Sequence, residues 1–434
     1  MNITEKQKYR LLIGLIFLTI LPLPLIAHPS RLMFTDVASF MLYSSSVLGY
    51  LGIVLLLWMY VLGTKSVIGL YFRDMASVMK VHKWLGTYGT LFIFAHPLAA
   101  ALAYGQNVIL YSILPNLSTN FDIYVTWGRF ALYALIIIWV TSAIARGAIG
   151  YRPWKYIHYV AYVALPLSLL HIPTIGVAFE SERPAKLYFF VAVLVWVVFS
   201  LLRFRHLFML GKLSYTVVSQ QAATPEIMYL VMMPNQPARI SHFKGQFIYL
   251  QMNLLGEGHP FSLLQQDKTT GQLTVAYKKN GRFTNKLSRQ PSGMTLYVDG
   301  PYGVFTEELR DHPSDPVVYI AGGIGITPFV DHILTDSAHE QWLFYANRTR
   351  ALSAFSSTLA SKLGDHYVPI LSMEDSAPTE HGYIRAELLT KYLNDPQRFH
   401  YFICGPPKMM ELTVQTLINL DVPASHIHTE EFSY

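Results

Sequence analysis

Six apolar stretches without a charged residue lie in the first half of this 434-residue chain. Three of them reach the roughly 20 residues that a helix needs to cross about 30 Å of hydrocarbon, and the other three are 16 or 17 residues long. Because the backbone in a bilayer must satisfy its own hydrogen bonds, each stretch is predicted to be a transmembrane helix. The stretches that lack Asp, Glu, Lys and Arg are 11–27, 37–64, 84–121, 130–145, 156–179 and 187–202.

The first stretch has two interpretations. Pro22 and Pro24 interrupt it near one end, and proline disrupts a helix interior. A cleaved signal peptide is also apolar and N-terminal, but the small-residue cleavage pattern that it requires fits this sequence poorly. We therefore expect six transmembrane helices, with a signal peptide as the alternative for the first.

Basic residues fall mainly in loops on one side of the predicted helices. That side carries Lys6, Lys8, Arg10, Lys65, Arg73, Lys80, Lys83, Arg146, Arg152, Lys155, Arg203, Arg205 and Lys212, and the opposite loops carry Arg31, Arg129, Arg183 and Lys186. By the positive-inside rule, both termini are predicted to be cytoplasmic. This topology accounts for most of the net charge of +6, so nucleic acid is not needed as a partner. The single cysteine, Cys404, excludes an intramolecular disulfide.

Four histidines occur in pairs on the third and fifth predicted helices. His82 and His96 are 14 residues apart, and His158 and His171 are 13 residues apart. At about 1.5 Å per residue, each spacing separates two imidazoles by roughly 20 Å along a helix while keeping them near one face. Two such helices side by side would hold two stacked haems, one on His82 and His158 near the inner membrane surface and one on His96 and His171 nearer the outer surface.

The histidine pairs have simpler explanations, which fit less well. An intramembrane imidazole is costly without a partner and is a candidate functional residue. Four separate polar contacts between helices would not explain two matched pairs. Zinc is disfavoured because its ligand shell has a radius of only about 2.1 Å and no thiolates accompany the histidines. Since bis-histidine ligation fills both axial positions, such haems should pass single electrons and reduce an acceptor at their edge.

Other polar and aromatic residues of this half have two interpretations. His28, Arg31 and Arg129, which are predicted to lie near the outer surface, either pair with haem propionates or attract an anion, or are ordinary interfacial residues. The tryptophans, including Trp154, lie near helix ends or within the bundle, where anchoring at the membrane interface is expected.

After Arg203 the pattern changes to short alternating strands and then to strands that alternate with helices. Segments 246–252, 273–277 and 295–298 predict strands of an antiparallel barrel. Segments 317–321, 342–346, 368–373 and 401–404, each followed by a helical pattern, predict a parallel, doubly wound sheet. The break between the two parts is placed near 311–316.

A glycine-rich turn follows the first strand of the predicted sheet and contains Gly322, Gly323, Gly325, Thr327 and Pro328. Glycine allows the backbone to approach a pyrophosphate, and proline suits the first turn of a helix whose free N–H groups attract phosphate. A tight strand-to-helix connection is the alternative. The position between a β-branched strand and an apolar helix favours dinucleotide binding.

Two arginines follow the second strand of this sheet. An acidic residue there would bind the ribose hydroxyls of NADH, whereas this chain has Asn347, Arg348, Thr349 and Arg350. Arg348 and Arg350 therefore favour the 2′-phosphate of NADPH over NADH, although exposed loop arginines are common.

Two motifs of the predicted barrel carry the hydroxyl, the aromatic face and the polar helix start that a flavin and its pyrophosphate require. They are His259, Pro260, Phe261 and Ser262, and, in segment 281–287, Gly281, Phe283 and Thr284. Each motif alone would also fit an ordinary turn. The aromatic end of the chain is expected either to pack in the core or to cover a flavin.

In this order, the motifs resemble those of the ferric reductase and NADPH oxidase superfamily, and in particular of its bacterial NADPH oxidase-like members. The resemblance covers essentially the whole chain and rests on the paired histidines, HPFS at 259–262, GGIGITP at 322–328 and CGPP at 404–407. It implies a multidomain membrane protein with a six-helix transmembrane di-haem domain at 1–210. A ferredoxin-reductase-like module would follow, with an FAD-binding antiparallel β-barrel at 211–312 and an NAD(P)H-binding α/β domain at 313–434. The implied cofactors are FAD, two haem b and NADPH or NADH.

The resemblance also implies roles for single residues. Cys404 would act at the nicotinamide together with the neighbouring Gly405 and Pro406, and Phe432 would stack on the flavin as the second catalytic residue. The oxidases of animals end at that aromatic residue, whereas this chain continues to Tyr434. Either ring would therefore serve as the lid over the flavin.

The expected function is electron transfer from cytosolic NADPH through FAD and the two haems to an external acceptor, which is O2 giving superoxide. The unequal histidine spacings resemble those of the oxidase branch, and a ferric-chelate reductase is the alternative. A third hypothesis is a haem-carrying membrane subunit that passes electrons to a periplasmic partner protein, but the complete reductase module disfavours it. The implied setting is a bacterial inner membrane, with the lipid bilayer and a small-molecule acceptor as partners and no obligatory protein partner.

Overall fold

The computed structural model divides into two compact units, Met1–His206 and Leu207–Tyr434. It describes residues 5–27, 35–69, 71–176, 178–179, 182–207, 212–237, 240, 243–253, 256–307, 309, 314–374 and 379–430. Among these residues, the first unit contains only helices and the second contains both strands and helices.

The described part of the first unit contains six helices that are long and apolar enough to cross a membrane. They are α1 (Glu5–Ile26), α2 (Val37–Gly63), α3 (Met75–Ala103), α4 (Asn120–Ile144), α5 (Tyr151–Pro173) and α6 (Arg183–Arg205). The prediction of six spans is therefore confirmed, and the chain is a multi-pass membrane protein. A short helix, Val108–Ile113, lies between α3 and α4.

Side-chain caps fix where three of these helices begin. The Asp36 carboxylate accepts a hydrogen bond of 2.8 Å from the Ser39 amide at the start of α2, and the Ser39 hydroxyl accepts one from the Asp36 amide. Asp74 caps α3 and Thr119 caps α4 in the same way, by accepting from a backbone amide in the first turn. Such caps satisfy amides that have no partner within the helix.

The first helix packs into the bundle. Leu12 and Ile16 are buried against residues of α2 and α3. The Thr19 hydroxyl accepts a hydrogen bond of 2.9 Å from the Trp58 indole of α2, and the Thr19 carbonyl accepts one from the Tyr188 hydroxyl of α6. These contacts favour a transmembrane helix over a signal peptide.

Both predicted ligand helices are irregular. A π-helical turn, Leu85–Gly89, separates His82 from His96 within α3, and α5 breaks directly after His158 into Tyr151–His158 and Ala161–Ile175. A second π-helical turn, Val140–Ile144, ends α4. Such turns insert an extra residue and often occur at functional sites. Ideal-helix arithmetic therefore describes neither ligand helix.

The second unit begins with a closed six-stranded antiparallel barrel, as predicted. Its strands are β1 (Leu213–Ala222), β2 (Ile227–Pro234), β3 (Phe247–Gln251), β4 (His259–Gln266), β5 (Leu273–Lys278) and β6 (Thr295–Tyr302), in the spatial order β1-β2-β5-β4-β3-β6. Alternate side chains, such as Leu230, Ile248 and Val275, fill its interior. A six-residue helix, Arg282–Leu287, follows β5.

The rest of this unit is a parallel sheet with helices, also as predicted. Its strands are β7 (Val317–Gly322), β8 (Gln341–Asn347), β9 (Tyr367–Leu371), β10 (Glu380–His381), β11 (His400–Cys404) and β12 (Ile427–Thr429), in the order β10-β9-β8-β7-β11-β12. Its helices are α7 (Thr327–Thr335), α8 (Ser356–Leu363), α9 (Ala386–Tyr392) and α10 (Pro407–Asn419). All six residues of the central strand β7 are buried.

One hydrophobic cluster joins the barrel to the sheet, in addition to the separate clusters within each. Ile227, Leu264 and Ala276 of the barrel belong to the same buried cluster as Tyr319 of β7 and Phe329 of α7. Burial of about 25 cal/mol per Å² of apolar surface favours this association. The two parts consequently form a single compact unit.

Candidate functional site

The structure brings the four histidines together in the two predicted pairs. The ring centroids of His82 and His158 are 6.2 Å apart, as are those of His96 and His171. Each pair joins one ring of α3 to one ring of α5. A point midway between two such rings lies 3.1 Å from each centroid. This distance exceeds a metal–nitrogen bond of about 2.0–2.1 Å by roughly the radius of an imidazole ring, as two rings that bind one metal require.

Three of the four imidazoles are anchored through Nδ1 to a backbone carbonyl of a neighbouring helix. The distances are 3.0 Å for His82 and Met59, 2.8 Å for His96 and Ser45, and 2.9 Å for His171 and Tyr124. Because a carbonyl only accepts, Nδ1 must carry the proton, which leaves the lone pair of Nε2 available to a metal. His158 differs, since its Nδ1 lies 3.3 Å from the Ser142 hydroxyl.

Glycines on the neighbouring helices make room for three of these rings. A methyl group would lie 3.1 Å from the His96 ring at Gly49, 2.6 Å from the His171 ring at Gly128 and 3.4 Å from the His82 ring at Gly63. At Gly128 no side chain fits without moving His171. Close approach of the helix backbone is therefore required where the imidazoles lie.

Groups of three or more His, Cys, Asp or Glu side chains arranged to hold a metal do not occur among the described residues. Each histidine pair therefore supplies two protein ligands. Iron in a porphyrin takes two such ligands from a protein, so a haem fits this number.

A largely apolar cavity adjoins His96 and His171. Tyr50 and Ser112 line this cavity. Their buried hydroxyls have no hydrogen-bond partner in the described part of the chain. An unsatisfied buried hydroxyl costs about 1–3 kcal/mol. These hydroxyls are consequently candidates to bind polar atoms of a ligand in the cavity.

Arg129 of α4 lines the same cavity and is buried. Its Nε donates a hydrogen bond of 2.8 Å to the Tyr111 carbonyl, and its Nη1 donates one of 3.2 Å to the Thr126 hydroxyl. Within the described residues, no carboxylate forms a salt bridge with it. A charged group in hydrocarbon is expected to face an opposite charge, so Arg129 is suited to an anionic group of a ligand.

The two predicted flavin motifs lie together in the barrel. The rings of His259 on β4 and Phe283 on the helix Arg282–Leu287 stack with centroids 4.0 Å apart. Gly281 precedes this helix with a φ of 103°, which favours glycine. The Thr284 hydroxyl accepts a hydrogen bond of 2.9 Å from the Asn280 amide and thereby fixes the turn.

The strand alternation divides the HPFS motif between two faces. Phe261 lies in the barrel core, where its ring is 5.9 Å from that of Tyr277. Pro260 and Ser262 point to the opposite face, because successive side chains of a strand alternate. Ser262 is also buried. The motif therefore combines one core residue with a hydroxyl on the other side of the strand.

The glycine-rich turn lies at the topological switch point of the sheet, where the chain changes from adding strands on one side of β7 to adding them on the other. From β7 the chain proceeds through β8 and β9 on one side, and β11 lies on the other side of β7. Ligands of open parallel sheets bind outside the carboxyl ends of the strands at this point. Here β7 ends at Gly322 and β11 ends at Cys404, side by side. Gly323 follows with a φ of 55°, and α7 then begins with Thr327 and Pro328.

Two glycine-containing segments, 322–325 and 404–406, lie in close contact at this switch point. A methyl group at Gly325 would lie 2.3 Å from the Cys404 carbonyl oxygen, and one at Gly322 would lie 2.7 Å from the Pro406 ring. A methyl group at Gly405 would lie 3.0 Å from the Gly322 nitrogen. The predicted pyrophosphate turn and the predicted nicotinamide segment are thus in direct backbone contact.

Arg348 directly follows β8, and its side chain already has an ion-pair partner. Its guanidinium forms an ion pair with Glu226, which lies between β1 and β2, and the same carboxylate binds Lys278 of β5 at 2.8 Å. The hydrogen bonds from Lys278 and Arg348 hold the pKa of Glu226 below its usual value. Arg350 is exposed, and its backbone amide donates a hydrogen bond of 3.0 Å to Glu374. A 2′-phosphate bound by Arg348 would have to compete with Glu226.

Cys404 and Glu430 lie close together in the same unit. Cys404 is buried, which raises the pKa of its thiol well above the usual value, and the nearby Glu430 raises it further. Oε2 of Glu430 is buried without a hydrogen-bond partner in the described chain. Burial raises the pKa of Glu430 from 4.5 to about 8. Glu430 is therefore mostly protonated at neutral pH.

Some predicted residues lie outside the described residues, namely His28, Arg31, Phe432 and Tyr434. Conversely, several residues at these sites were not anticipated: Gly49, Gly128, Tyr50, Ser112, Ser142, Glu226 and Glu430. The unaccompanied glycines in apolar helices were a weak signal for close packing, whereas the hydroxyls and acids carried no local signal.

The raised pKa of Glu430 predicts a pH-dependent stability. The folded protein binds the Glu430 proton more tightly than the unfolded chain does. Protonation of Glu430 therefore contributes fully to the free energy of unfolding below about pH 4.5, and this contribution is lost as the pH rises through about 8. We expect Glu430→Gln to flatten the fall in thermal midpoint over this range. The measurement is thermal unfolding of the full-length protein across these pH values, with the exposed Glu411→Gln as control. Equal pH profiles for Glu430→Gln and the wild type would contradict the prediction.

Three family models match the chain in the order of its structural parts. The ferric reductase like transmembrane component matches residues 48–169, an oxidoreductase FAD-binding domain matches 214–306, and an oxidoreductase NAD-binding domain matches 319–415. The first match includes His82, His96 and His158 but ends before His171.

Curated relatives match about half of the chain. The chain is 28% identical over 208 residues to the ferredoxin reductase component of 3-ketosteroid-9-alpha-monooxygenase from Mycobacterium tuberculosis, covering 45% of this chain and 56% of that protein. It is 29% identical over 243 residues to one of the subunits that form 1,2-phenylacetyl-CoA epoxidase in Escherichia coli, covering 51% of this chain and 67% of that protein.

Among solved structures, an Amycolatopsis cytochrome P450 reductase is 21% identical and covers 51% of this chain and 70% of its own, with a TM-score of 0.46. The three matching family models, in this order, combine a membrane component with a flavin and nicotinamide module. The chain therefore combines a ferric reductase like transmembrane component with oxidoreductase FAD-binding and NAD-binding domains, which is consistent with the ferric reductase and NADPH oxidase-like superfamily.

Proposed function

We propose that this protein transfers electrons from cytosolic NADPH through FAD and two b-type haems in series to an acceptor on the outer side of the membrane. The observation that carries the proposal is the pair of 6.2 Å imidazole separations in the membrane unit. Anchoring through Nδ1 turns Nε2 of a histidine towards a shared metal. A haem bound by two histidines supplies one-electron transfer without an open axial position.

The surroundings of the outer pair fit a haem. His96 and His171 would hold it, and Gly49 and Gly128 allow the two rings to lie against the flanking helices. Arg129 and the unpartnered hydroxyls of Tyr50 and Ser112 provide donors for propionates or for an anionic product in the adjoining cavity. His82 and His158 would hold the inner haem.

The proposed domains are 1–210 for the haems, 211–312 for FAD and 313–434 for the nicotinamide nucleotide. His259, Ser262 and the turn from Gly281 to Thr284 would hold the flavin, which converts a two-electron hydride donor into a source of single electrons when bound. Phe261 would support this site from the barrel core. Phe432 or Tyr434 would cover the flavin ring.

The switch point of the sheet would bind the nicotinamide nucleotide. The backbone of Gly322, Gly323 and Gly325 and the first turn of α7 would face the pyrophosphate. Cys404, with Gly405 and Pro406, would lie at the nicotinamide. The buried, protonated thiol would contribute shape and exclude water, because the raised pKa keeps it neutral.

The proposed topology has both termini in the cytoplasm of a bacterium and the chain in its inner membrane. Its basis is the excess of Lys and Arg in the loops on one side. In this orientation His82 and His158 lie near the cytoplasm, and the cavity at His96 and His171 lies near the outer surface.

The histidine assignment predicts which haem is lost in a variant. His171→Ala should remove the outer haem and the external activity while leaving part of the NADPH oxidation by FAD. Gly128→Ala should lower the content or shift the spectrum of the same haem, because its methyl group would lie 2.6 Å from the His171 ring and overpacking costs about 1–3 kcal/mol. The measurement is the ratio of haem to protein after purification.

Gly14→Ala is the matched control for this substitution, because a methyl group there meets nothing within 4 Å. It should keep the haem content and spectrum of the wild type. An unchanged haem content in His171→Ala would refute the ligand assignment, and a wild-type protein without haem would refute the proposed function.

The Glu226–Arg348 ion pair makes the choice of coenzyme testable. Arg348→Gln should raise KM for NADPH by roughly tenfold with little effect on NADH, since a charge-assisted hydrogen bond contributes about 1.5–3 kcal/mol. Glu226→Gln should lower KM for NADPH, because it releases Arg348 for the phosphate. The control is Glu340→Gln, which breaks the exposed ion pair with Arg398 in the same unit. Parallel changes with NADPH and NADH would place the 2′-phosphate elsewhere.

The acceptor is tested by cytochrome c reduction with NADPH in air, using the purified, FAD-supplemented protein. Inhibition by superoxide dismutase is expected, because the proposed product is superoxide. If dismutase has no effect and ferric chelates are reduced equally fast without oxygen, the protein is a ferric-chelate reductase. Activity only after addition of a periplasmic fraction would instead favour the membrane subunit of a two-protein system.

A further inference from the structure

His158 differs from the other three imidazoles because, in the described part of the chain, its Nδ1 has a hydroxyl partner without a backbone carbonyl. Nδ1 of His96 also lies 3.2 Å from a hydroxyl, that of Ser45, but in addition to its carbonyl partner. Nδ1 of His158 lies 3.3 Å from the hydroxyl of Ser142, whereas the other three Nδ1 atoms lie 2.8–3.0 Å from backbone carbonyls. Ser142 belongs to the π-helical turn Val140–Ile144 at the end of α4. The π-helical turn therefore supplies the anchor for one ligand of the inner pair.

Trp154 shares this anchor. Its indole N–H donates a hydrogen bond of 3.0 Å to the Ser142 hydroxyl oxygen. Its ring stacks on the His158 ring, with centroids 5.0 Å apart and planes inclined by 28°. Trp154 lies four residues before His158 on the same helical segment. The expected role of Trp154 as an anchor at the membrane interface does not describe these inward contacts.

Arg146 places a positive charge next to Trp154. The Arg146 guanidinium lies 4.6 Å from the centre of the Trp154 ring, within the usual range for a cation–π contact. Its Nη1 donates a hydrogen bond of 3.1 Å to the Ile149 carbonyl, which holds it in place. Arg146, Trp154 and the His158 ring thus follow one another in contact.

The partner of Nδ1 affects how strongly an imidazole donates electrons to iron. A strong acceptor increases the basicity of the ligand and favours the oxidised metal, so a weaker acceptor favours the reduced metal. The Ser142 oxygen is a weak acceptor for His158, because it is distant, uncharged and already accepts from Trp154. A nearby positive charge also favours the reduced haem, which carries one positive charge less. Both effects raise the reduction potential.

We propose that Trp154 and Arg146 are positioning residues that raise the reduction potential of the haem held by His82 and His158. Trp154 does so by weakening the Ser142 hydroxyl as an acceptor for His158, and Arg146 does so by its charge. This inference rests on the proposed function. In the step concerned, one electron from the reduced flavin enters the inner haem, and its iron changes from ferric to ferrous. The higher potential makes the iron nearer the cytoplasm a favourable first acceptor.

The test is a redox titration of the purified full-length protein, followed by the haem absorbance. His171→Ala provides the background, because only the inner haem should remain and a single wave is then measured. Trp154→Phe keeps a stacked ring but removes the N–H, so Ser142 becomes a better acceptor for His158 and the midpoint should fall. Ser142→Ala removes the acceptor, and the midpoint should rise.

Arg146→Gln removes the charge without touching His158, and the midpoint should fall again. For these variants the ratio of ferrous to ferric iron at fixed ambient potential should change by up to about tenfold, which corresponds to about 59 mV for one electron. Trp139→Phe is the matched control, because the Trp139 indole donates to the Thr87 carbonyl and its ring packs against Phe94. It should leave the midpoint unchanged.

A structural role alone gives a different result. If these side chains only hold α4 and α5 together, Trp154→Phe and Ser142→Ala shift the midpoint in the same direction or lose haem, and Arg146→Gln leaves it unchanged. Either result overturns the inference. The proposed function is tested separately, because it requires that the wild-type protein contains two haems. Absence of haem from the wild type would instead remove the proposed function itself.

Discussion

The membrane unit depends on the cost of placing imidazoles in hydrocarbon. Each ring needs an acceptor for Nδ1. For three of the four rings the flanking helices provide it from backbone carbonyls, which already serve their own helix but retain a second lone pair. Met59 and Ser45 of α2 hold the two histidines of α3, and Tyr124 of α4 holds His171 of α5. This arrangement requires helices to approach closely, and glycine permits that approach at Gly49 and Gly128. The pairing of α2 with α3 and of α4 with α5 follows from the same requirement.

Much of the fold could be predicted from the sequence, because local patterns determine it. A charge-free stretch long enough to cross a bilayer can hardly fold otherwise, and the strand predicted at 317–321 is observed as Val317–Gly322. The π-helical turns and the break after His158 were not predictable, since they depend on how α3, α4 and α5 pack. The pairing of the histidines was nevertheless predictable, because their types and spacings are properties of the sequence itself.

Partners distant in sequence were beyond prediction. Arg348 is 122 residues from Glu226, and Ser142 is 16 residues from His158 on a different helix. An acid between two barrel strands and a serine in an apolar segment are common, and nothing in a single sequence connects them with a site. Glu430 also looked like an ordinary residue near the chain end until folding buried its carboxyl next to Cys404. Local motifs therefore suggest candidate cofactor contacts, whereas the residues that position those candidates become visible only in the folded structure.

The side chains of the candidate sites are positioned by different kinds of interaction in the two units: buried hydrogen bonds in the first, and a partly exposed ion pair in the second. In hydrocarbon, three of the four proposed haem ligands are fixed by backbone carbonyls, whose dipoles need no reorganisation. In the second unit, the group proposed to meet the coenzyme phosphate is paired with Glu226 in a partly exposed ion pair. Such pairs contribute only about 0–1 kcal/mol, so an incoming phosphate can replace the carboxylate at little cost. On the proposed function, permanent contacts lie where cofactors would stay bound, and exchangeable ones lie where a substrate would enter and leave at every turnover.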